Sequence, residues 1–203
     1  KALLTICVIS GSRSEYGLMS SLLRDFESHC SVNLKIIVTG AHLSEEFGLT
    51  YREIEDDGFT IDEKIAGALD TSSRTALAKT VGAWTGQFAE ALEGINPDLV
   101  LVMGDRYELL SVSAACIFLG IPLAHISGGE ITEGAIDDQI RHSLTKASHL
   151  HFVANEVYAD RVRQMGEEDW RICVSGEPGL DALLRTIPQT IDELSQDLGI
   201  DLR

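Results

Sequence analysis

Short apolar runs alternate with longer segments of helical periodicity along most of the chain. Six runs rich in Val, Ile and Leu read LLTICVIS, NLKIIVTG, PDLVLVMGD, IPLAHISGG, HLHFVAN and WRICVSGEPG. Nearly continuous apolar runs of this length are typical of parallel strands that are covered on both faces. A partly alternating segment at residues 59–65 is a further candidate strand.

Between these runs, apolar residues recur at helical spacing. Residues 72–92 show the pattern over the greatest length, because Ala76, Leu77, Val81, Trp84 and Phe88 fall on one face of a helix. The predicted helices span residues 15–28, 72–92, 106–119, 137–147, 156–165 and 180–185. Strands that alternate with helices predict right-handed crossovers and an α/β fold with a doubly wound parallel sheet.

Composition and charge exclude several classes of protein. A chain of 203 residues buries roughly 70% of the surface of its unfolded form, which suffices for one large domain. Against 32 Asp and Glu there are 16 Lys and Arg, so the formal net charge is −16. Because the chain also lacks a basic run, we expect no nucleic-acid partner and no membrane partner.

The cysteines and the apolar runs bear on the compartment. Cys7, Cys116 and Cys173 lie in apolar runs, where a thiol usually behaves as a small buried hydrophobic group, and Cys30 is far from all of them. The spacing favours neither a disulfide framework nor a metal site. No apolar stretch reaches the roughly 20 residues that span a bilayer, and the first run is too short for a signal sequence. We therefore expect a cytoplasmic protein that binds no metal.

Polar residues follow the predicted strands at their carboxyl ends, where open parallel sheets bind ligands. After the first strand, the turn SGSRSEYG opens a helix, and its N–H groups together with Arg13 suit a phosphate. The turn is not a dinucleotide or P-loop motif, and a plain turn with a surface arginine is the alternative. His42, after the second strand, would contact a ligand or serve as a cap. Asp105, beside Arg106, would be a helix N-cap or a catalytic carboxylate.

The segment after the HISGG strand is the richest in ionisable groups, and it holds Glu130, Glu133, Asp137, Asp138, Arg141 and His142. On a helix that begins near Asp137, Asp138 neighbours Arg141 and His142. Carboxylates crowded beside an arginine and a histidine can hold separated pKa values and act as acid and base. A solvated acidic loop with a capping aspartate is the alternative. His149 and His151, an H-x-H pair, are assigned to packing.

The motifs GSRSEYGL, TGAHLS, GDRYE, HISGGE, TEGAIDDQIRHSLTK and GEPGLD, in this order, resemble the hydrolysing UDP-N-acetylglucosamine 2-epimerases. The resemblance is strongest to the bacterial branch that serves sialic and legionaminic acid synthesis, and it covers nearly the whole chain through Asp181. It implies the Rossmann-like N-terminal half of a two-domain, glycosyltransferase-B-like enzyme. Such an enzyme needs no cofactor and works on a UDP-sugar by anti elimination of UDP to a glycal, followed by hydration to the C2-inverted free sugar.

The resemblance also assigns roles to residues. Asp105 and Asp137 match catalytic carboxylates, and Arg13 matches a diphosphate contact. The positions that match further substrate-binding residues are His42, Arg106, Asp138, Arg141 and His142.

In one place the sequence departs from the family. Many relatives carry a catalytic Glu in the pattern H-x-E, but here the position is Ser127, so either Glu130 supplies the carboxylate or the second acid differs.

Family members are about twice as long, and they form homodimers or homotetramers. We therefore expect residues 1–185 to be one domain and residues 186–203 to be a linker toward a C-terminal domain that is absent from this chain. The chain alone is expected to be inactive. The substrate would be UDP-N-acetylglucosamine or UDP-N,N′-diacetylbacillosamine. Two other functions remain open, the half of a glycosyltransferase with the same architecture and a non-catalytic module that binds a nucleotide sugar.

Overall fold

Seven parallel strands form one sheet within residues 3–66, 73–185 and 188–203, which are the residues that the computed structural model describes. The strands are β1 (Leu4–Ser10), β2 (Val32–Thr39), β3 (Glu63–Ile65), β4 (Leu99–Met103), β5 (Leu123–Ile126), β6 (Leu150–Val153) and β7 (Ile172–Val174). Their order is β3-β2-β1-β4-β5-β6-β7. The predicted strands and the doubly wound α/β fold are confirmed.

The helices that connect and cover the strands agree with the periodicity to within a few residues at most ends. They are α1 (Arg13–Ser28), α2 (Tyr51–Asp56), α3 (Arg74–Ile95), α4 (Glu108–Leu119), α5 (Asp137–Ala147), α6 (Glu156–Gln164), α7 (Pro178–Arg185) and α8 (Ile191–Leu198). Ser72, the first residue of one predicted helix, lies outside the described residues. Helices α2 and α8 are additions to the prediction.

Helix α8 lies in the segment that was predicted to be a linker. Thr190 accepts a hydrogen bond from the N–H of Glu193, and the Glu193 carboxylate accepts one from the N–H of Thr190. This reciprocal pair is a capping box, which fixes the first turn of a helix. The predicted linker is therefore partly helical. Its residues 186 and 187 lie outside the described part of the chain.

The core has two apolar layers, one on each face of the sheet. Along β4, Val100 and Val102 pack with α3, α4 and α5, whereas Leu101 and Met103 pack with α1 and α2. Successive residues of a strand point to opposite faces, so a strand buried on both sides must be apolar at every position. This explains why the strands read as continuous apolar runs.

The topology fixes where a ligand can bind. Strand β1 lies between β2 and β4, with Ile9 beside Ile37 and Cys7 beside Val100. From β1 the chain builds β2 and β3 on one side, and later it returns to build β4 to β7 on the other side. The loops at the carboxyl ends of β1 and β4 therefore diverge, and the crevice between them is where open α/β sheets bind ligands.

The cysteines are free thiols, and their burial differs from one to another. Cys7 and Cys116 are buried as predicted, and burial raises the pKa of the Cys116 thiol to about 12. The prediction for Cys173 was wrong, because this residue lies on β7, one of the two edge strands of the described sheet, and is exposed. Among the described helices, none combines the length and the apolar character needed to cross a membrane.

Candidate functional site

Arg141 is a buried cation that binds groups from two loops, the one after β4 and the one after β5. Its Nη1 donates to the carbonyl of Ser127 at 2.7 Å and to Oε2 of Glu130 at 3.2 Å. Its Nη2 donates to Oδ2 of Asp105 and, at 3.3 Å, to Oγ1 of Thr132. We call Asp105, Glu130, Thr132 and Arg141 the Arg141 cluster. It unites two of the three predicted catalytic carboxylates.

The loops after β4 and β5 and helix α5 bring these groups together. Asp105 follows β4, Glu130 follows β5, and Arg141 lies on α5, the helix after β5. The alternative of Asp105 as a helix N-cap was wrong, because α4 begins at Glu108 and the residue before it makes no side-chain capping bond. The Asp105 carboxylate is therefore available to pair with Arg141.

The turn after β5 aims Glu130 toward Arg141. Ser127, the residue at the position of the family's H-x-E glutamate, has φ +63, a left-handed conformation that costs a non-glycine residue about 1–2 kcal/mol. In this conformation its carbonyl accepts the bond from Arg141, and its side chain lowers the pKa of the Glu130 carboxyl group. Ser127 thus binds the same nitrogen of Arg141 as Glu130, in the place where the sequence departs from the family pattern.

Burial and the charge of Arg141 act in opposite directions on the pKa of Glu130. Burial raises the pKa of its carboxyl group, Arg141 lowers it, and the nearby Glu177 and Asp105 raise it, so that the net direction is upward. A raised pKa favours the protonated form of a carboxyl group, which is the form that donates a proton to a leaving group. The side chains of Asp105 and Glu130 remain 22% and 24% exposed, so both can reach a ligand.

His125 stabilises this edge of the sheet, a role that was not predicted from the sequence. It is fully buried, its Nε2 donates to the carbonyl of Gly104 at 2.7 Å, and its Nδ1 lies 3.2 Å from Oγ1 of Thr145. Burial lowers its pKa to about 4, so the ring is neutral at pH 7. His125 therefore holds the residue before Asp105 without adding charge. Its place inside an apolar strand was the signal for this role.

The start of α5 holds the other predicted groups. Asp138 accepts a hydrogen bond from the N–H of Thr132 at 3.1 Å, and its carboxylate lies 3.6 Å from Nε2 of His142. This confirms the predicted i,i+4 neighbours. Asp137, the first residue of α5, is partly exposed and makes no hydrogen bond or ion pair with the residues that the structure describes. The structure does not link Asp137 to the Arg141 cluster by any contact of that kind.

A second group of charges lies at the carboxyl ends of β1 and β4. Nε of Arg106 donates to Oε1 of Glu108 at 3.1 Å, and Oε2 of Glu15 lies 4.0 Å from the same nitrogen. We call Glu15, Arg106 and Glu108 the Arg106 cluster. Burial raises the pKa of Glu15 to about 7. Arg106 was predicted from the sequence as a site residue, whereas neither glutamate was.

The Arg106 cluster borders a cleft of about 590 Å³, whose lining includes Ser12, Arg13, Ser14, Ser44, Arg106 and Tyr107. Arg13 is the first residue of α1, where N–H groups and the helix dipole favour an anion. Its side chain is 72% exposed and pairs with Glu53 at 3.0 Å. The arrangement provides two cations and a helix N-terminus in one cleft.

His42 was predicted to contact a ligand or to serve as a cap, but it lies beneath the surface of the site. Its side chain is fully buried, with Nε2 2.9 Å from Oγ of Ser10 and Nδ1 2.9 Å from Oγ1 of Thr50. Burial lowers its pKa to about 4. His42 therefore connects the end of β1 and the 3₁₀ turn Gly40–Leu43 to the loop before α2.

Within the described residues, no group of three or more His, Cys, Asp or Glu side chains is arranged to hold a metal ion.

Comparisons with known proteins show the family to which the chain belongs. The family model described as UDP-N-acetylglucosamine 2-epimerase matches residues 24–200. The chain is 47% identical over 167 residues to the hydrolysing GDP/UDP-N,N′-diacetylbacillosamine 2-epimerase of Campylobacter jejuni, a match that covers 82% of this chain and 43% of the relative. It is 38% identical to the hydrolysing UDP-N,N′-diacetylbacillosamine 2-epimerase of Legionella pneumophila, over 97% of this chain and 52% of the relative.

A solved structure shows the same fold. The UDP-GlcNAc 2-epimerase of Neisseria meningitidis, crystallised with UDP-GlcNAc, superposes with a TM-score of 0.79 at 20% identity, over 97% of this chain and 52% of the other. The chain spans about half the length of the relatives that it matches.

Proposed function

Because the chain belongs to the UDP-N-acetylglucosamine 2-epimerase family, we propose that it forms one half of the active site of a hydrolysing UDP-sugar 2-epimerase. In this reaction a base removes the C2 proton and the C1–O bond to UDP breaks, which leaves a glycal with a double bond between C1 and C2. Water then adds its hydroxyl group to C1, and a proton is delivered to C2 from the opposite face. The products are UDP and the C2-inverted free sugar.

The Arg141 cluster is the observation that carries this proposal. Elimination and hydration need two groups that exchange protons with the sugar from fixed positions. Asp105 and Glu130 are two partly exposed carboxyl groups held by one buried guanidinium. The raised pKa of Glu130 suits the proton donor, which leaves Asp105 as the proton acceptor.

Asp137 is the third proposed catalytic group. Its carboxylate is partly exposed and is not occupied by a hydrogen bond from the described residues, so it is available to direct water or to accept a proton. Asp138 and His142, which form a pair on the same helix, are proposed to contact the sugar. Arg141 is proposed to position the two carboxylates and also to contact the substrate beside them.

The cleft beside α1 is proposed to receive the diphosphate. Arg13 at the helix N-terminus and Arg106 at the end of β4 supply positive charge there, and the serine hydroxyls supply further donors. His42 lies underneath and is proposed to act by holding the loops in place. A small diphosphate bound in this way is compatible with a chain of net charge −16, because only the local groups need to be positive.

We also propose the wider organisation of the protein. Residues 1–185 would form one domain and residues 186–203 would lead to a second domain, since the relatives are about twice as long. The complete protein is proposed to act in the cytoplasm as a homodimer or homotetramer, for which light scattering is the test. Among the substrates, UDP-N,N′-diacetylbacillosamine is supported by the names of both relatives described above.

The test expresses the full reading frame that contains these residues and supplies each UDP-sugar in turn. We expect release of UDP together with a free C2-inverted sugar, at a higher kcat/KM with UDP-N,N′-diacetylbacillosamine than with UDP-N-acetylglucosamine. The 203-residue chain alone should release no UDP. Transfer of the sugar to a second sugar would indicate a glycosyltransferase, and binding without turnover would indicate a non-catalytic module. Either result overturns the proposal.

A further inference from the structure

Glu108 is the most deeply buried carboxylate of the Arg106 cluster. It is 0% exposed, and its Oε1 accepts hydrogen bonds from both Nε and Nη2 of Arg106. Its Oε2 is buried and has no hydrogen-bond partner among the described residues. A carboxylate this deep is costly unless a cation is held against it. The pairing with Arg106 is therefore a fixed feature of the site.

Two glycines make room for Glu108 at the ends of the neighbouring strands. A Cβ atom on Gly40 would collide with Oε1 of Glu108, and Gly40 also has φ +58, which few other residues adopt. A Cβ atom on Gly11 would lie 3.4 Å from the same oxygen. The turns after β1 and β2 thus enclose the Glu108 carboxylate, which leaves it one orientation.

The orientation of Glu108 sets the orientation of Arg106. A guanidinium is a rigid planar fork of N–H donors, so two bonds to one oxygen fix its plane. Nε and Nη2 face Glu108, which leaves Nη1 outside that pair. On another side, the Arg106 guanidinium lies 5.5 Å from the centre of the Tyr107 ring. The Arg106 side chain is 29% exposed and lines the cleft that begins at α1.

We propose that Glu108 is a positioning residue that aims the Arg106 guanidinium into the cleft, where Arg106 binds a phosphate oxygen of a nucleoside diphosphate. The choice of ligand rests on the proposed function, whereas the aiming of Arg106 rests on the geometry alone. Arg13 and the first turn of α1 border the same cleft and favour the same anion. Glu15, with its pKa raised by burial, adds little negative charge there below neutral pH.

The experiment measures binding of UDP, inorganic pyrophosphate and uridine to the 203-residue chain by calorimetry. We expect the wild-type chain to bind UDP and pyrophosphate but not uridine. Glu108→Gln keeps the shape of the side chain but removes its charge, and it should weaken pyrophosphate binding about tenfold, as should Arg106→Ala. Because the two residues act as one unit, the double variant should bind no more weakly than Arg106→Ala.

A second variant and a matched control keep the test decisive. Arg106→Lys leaves Glu108 paired but removes the fork, so it should lose as much affinity as Arg106→Ala. Glu167→Gln removes another buried carboxylate, which pairs with Lys146 and His151 away from the cleft, and it should leave pyrophosphate affinity unchanged. The ¹⁵Nε–H resonance of Arg106 should be protected from exchange in the wild type and unprotected in Glu108→Gln.

The outcomes separate the inference from the proposed function. Equal pyrophosphate affinity of the wild type and Glu108→Gln, or an unchanged Arg106 resonance, overturns the inference and leaves the proposed function standing. A wild-type chain that binds neither UDP nor pyrophosphate, while its Arg106 resonance is protected, overturns the diphosphate assignment of the proposed function and the ligand of the inference together.

Discussion

The two arginine clusters of the site are built with opposite burial. In the Arg141 cluster the cation is the buried member, with a side chain 9% exposed, and its partners Asp105 and Glu130 reach the surface. In the Arg106 cluster the carboxylate of Glu108 is fully buried, and the cation reaches the surface. Both clusters lie at the carboxyl ends of strands, and Asp105 and Arg106 are adjacent in the chain.

The difference shows which member of a buried ion pair is available to a ligand. A fully enclosed charge is fixed by its partner and serves to hold it, whereas the partly exposed partner can reach a substrate. The Arg141 cluster therefore presents carboxyl groups, which suit proton transfer. The Arg106 cluster presents a guanidinium, which suits an anion. Removal of a buried member should affect the fold as well as the orientation of its partner, and removal of an exposed member should mainly affect function.

The largest effect is expected from removal of the buried cation. Arg141→Ala leaves Asp105 and Glu130 without their counter-charge, so it should lower the free energy of unfolding by about 3 kcal/mol in urea denaturation. The control is Arg13→Ala, because Arg13 forms an exposed ion pair with Glu53, and it should change the free energy by less than about 1 kcal/mol. Equal costs in the two variants would contradict the comparison.

An exposed member of the same cluster should affect catalysis more than stability. In the full enzyme, Asp105→Asn should lower kcat at least about 100-fold, because a group that transfers a proton is lost. Asp137→Asn and Glu130→Gln should lower kcat in the same way. The control is Asp160→Asn, on the exposed face of α6, with normal turnover expected. Near-normal UDP release by Asp105→Asn would remove it from the mechanism, and full turnover by Glu130→Gln would do the same for Glu130.

The Arg106 cluster should show a pH dependence of its own. Folded Glu15 keeps its proton up to about pH 7, whereas the unfolded chain releases it near pH 4.5. Between these values the folded state binds more protons, so the stability that Glu15 contributes is lost as the pH rises. Glu15→Gln should remove that loss. Its free energy of unfolding should therefore exceed that of the wild type by on the order of 2 kcal/mol as the pH rises from about pH 5 to about pH 8.

The measurement is urea denaturation of wild type and Glu15→Gln across this pH range. Glu27→Gln is the matched control, because Glu27 is exposed on the same helix, and its difference from wild type should not vary with pH. A difference between Glu15→Gln and wild type that stays constant with pH would show that Glu15 is ionised in the folded protein.

The smallest effect concerns the cap of the helix that borders the cleft. Ser12 accepts a hydrogen bond from the N–H of Glu15, so Ser12→Ala should cost about 1 kcal/mol of stability. Ser73→Ala removes the same kind of cap from α3 and should cost a similar amount. Since Ser12 lines the cleft, pyrophosphate affinity should fall with Ser12→Ala, by less than with Arg106→Ala, and should be unchanged with Ser73→Ala. A loss of affinity in both variants would show that the effect is not local.

The sequence predicted the sheet well because its signal is local. A strand covered on both faces needs an apolar residue at every position, and that requirement is visible in a run such as residues 99–103. Helix α8 was missed although Thr190 and Glu193 carry the capping-box signature, because the acidic composition around them favoured a linker. Helix α2 is short, and Ile54 is its one buried residue among those described, so it has little periodicity to detect.

The site was only partly predictable because its contacts join residues that are far apart in the sequence. Asp105 and Arg141 were each named, but their pairing joins residues 36 positions apart and depends on the loops after β4 and β5. Glu108 was missed because it follows Arg106 by two positions and reads as the first residue of an ordinary helix. Its role depends on the space left by Gly11 and Gly40, which lie in the turns after β1 and β2.

The most direct test of the account is turnover of the UDP-sugar by the full enzyme in D₂O, with the product examined by NMR. Elimination followed by hydration predicts UDP and a free C2-inverted sugar that carries one solvent deuterium at C2. In Asp105→Asn, the amount of free sugar and the amount of deuterium incorporated at C2 should fall by the same factor. A sugar released without deuterium at C2 would mean that the C2–H bond is never broken, and it would contradict the assignment of the Arg141 cluster to proton transfer.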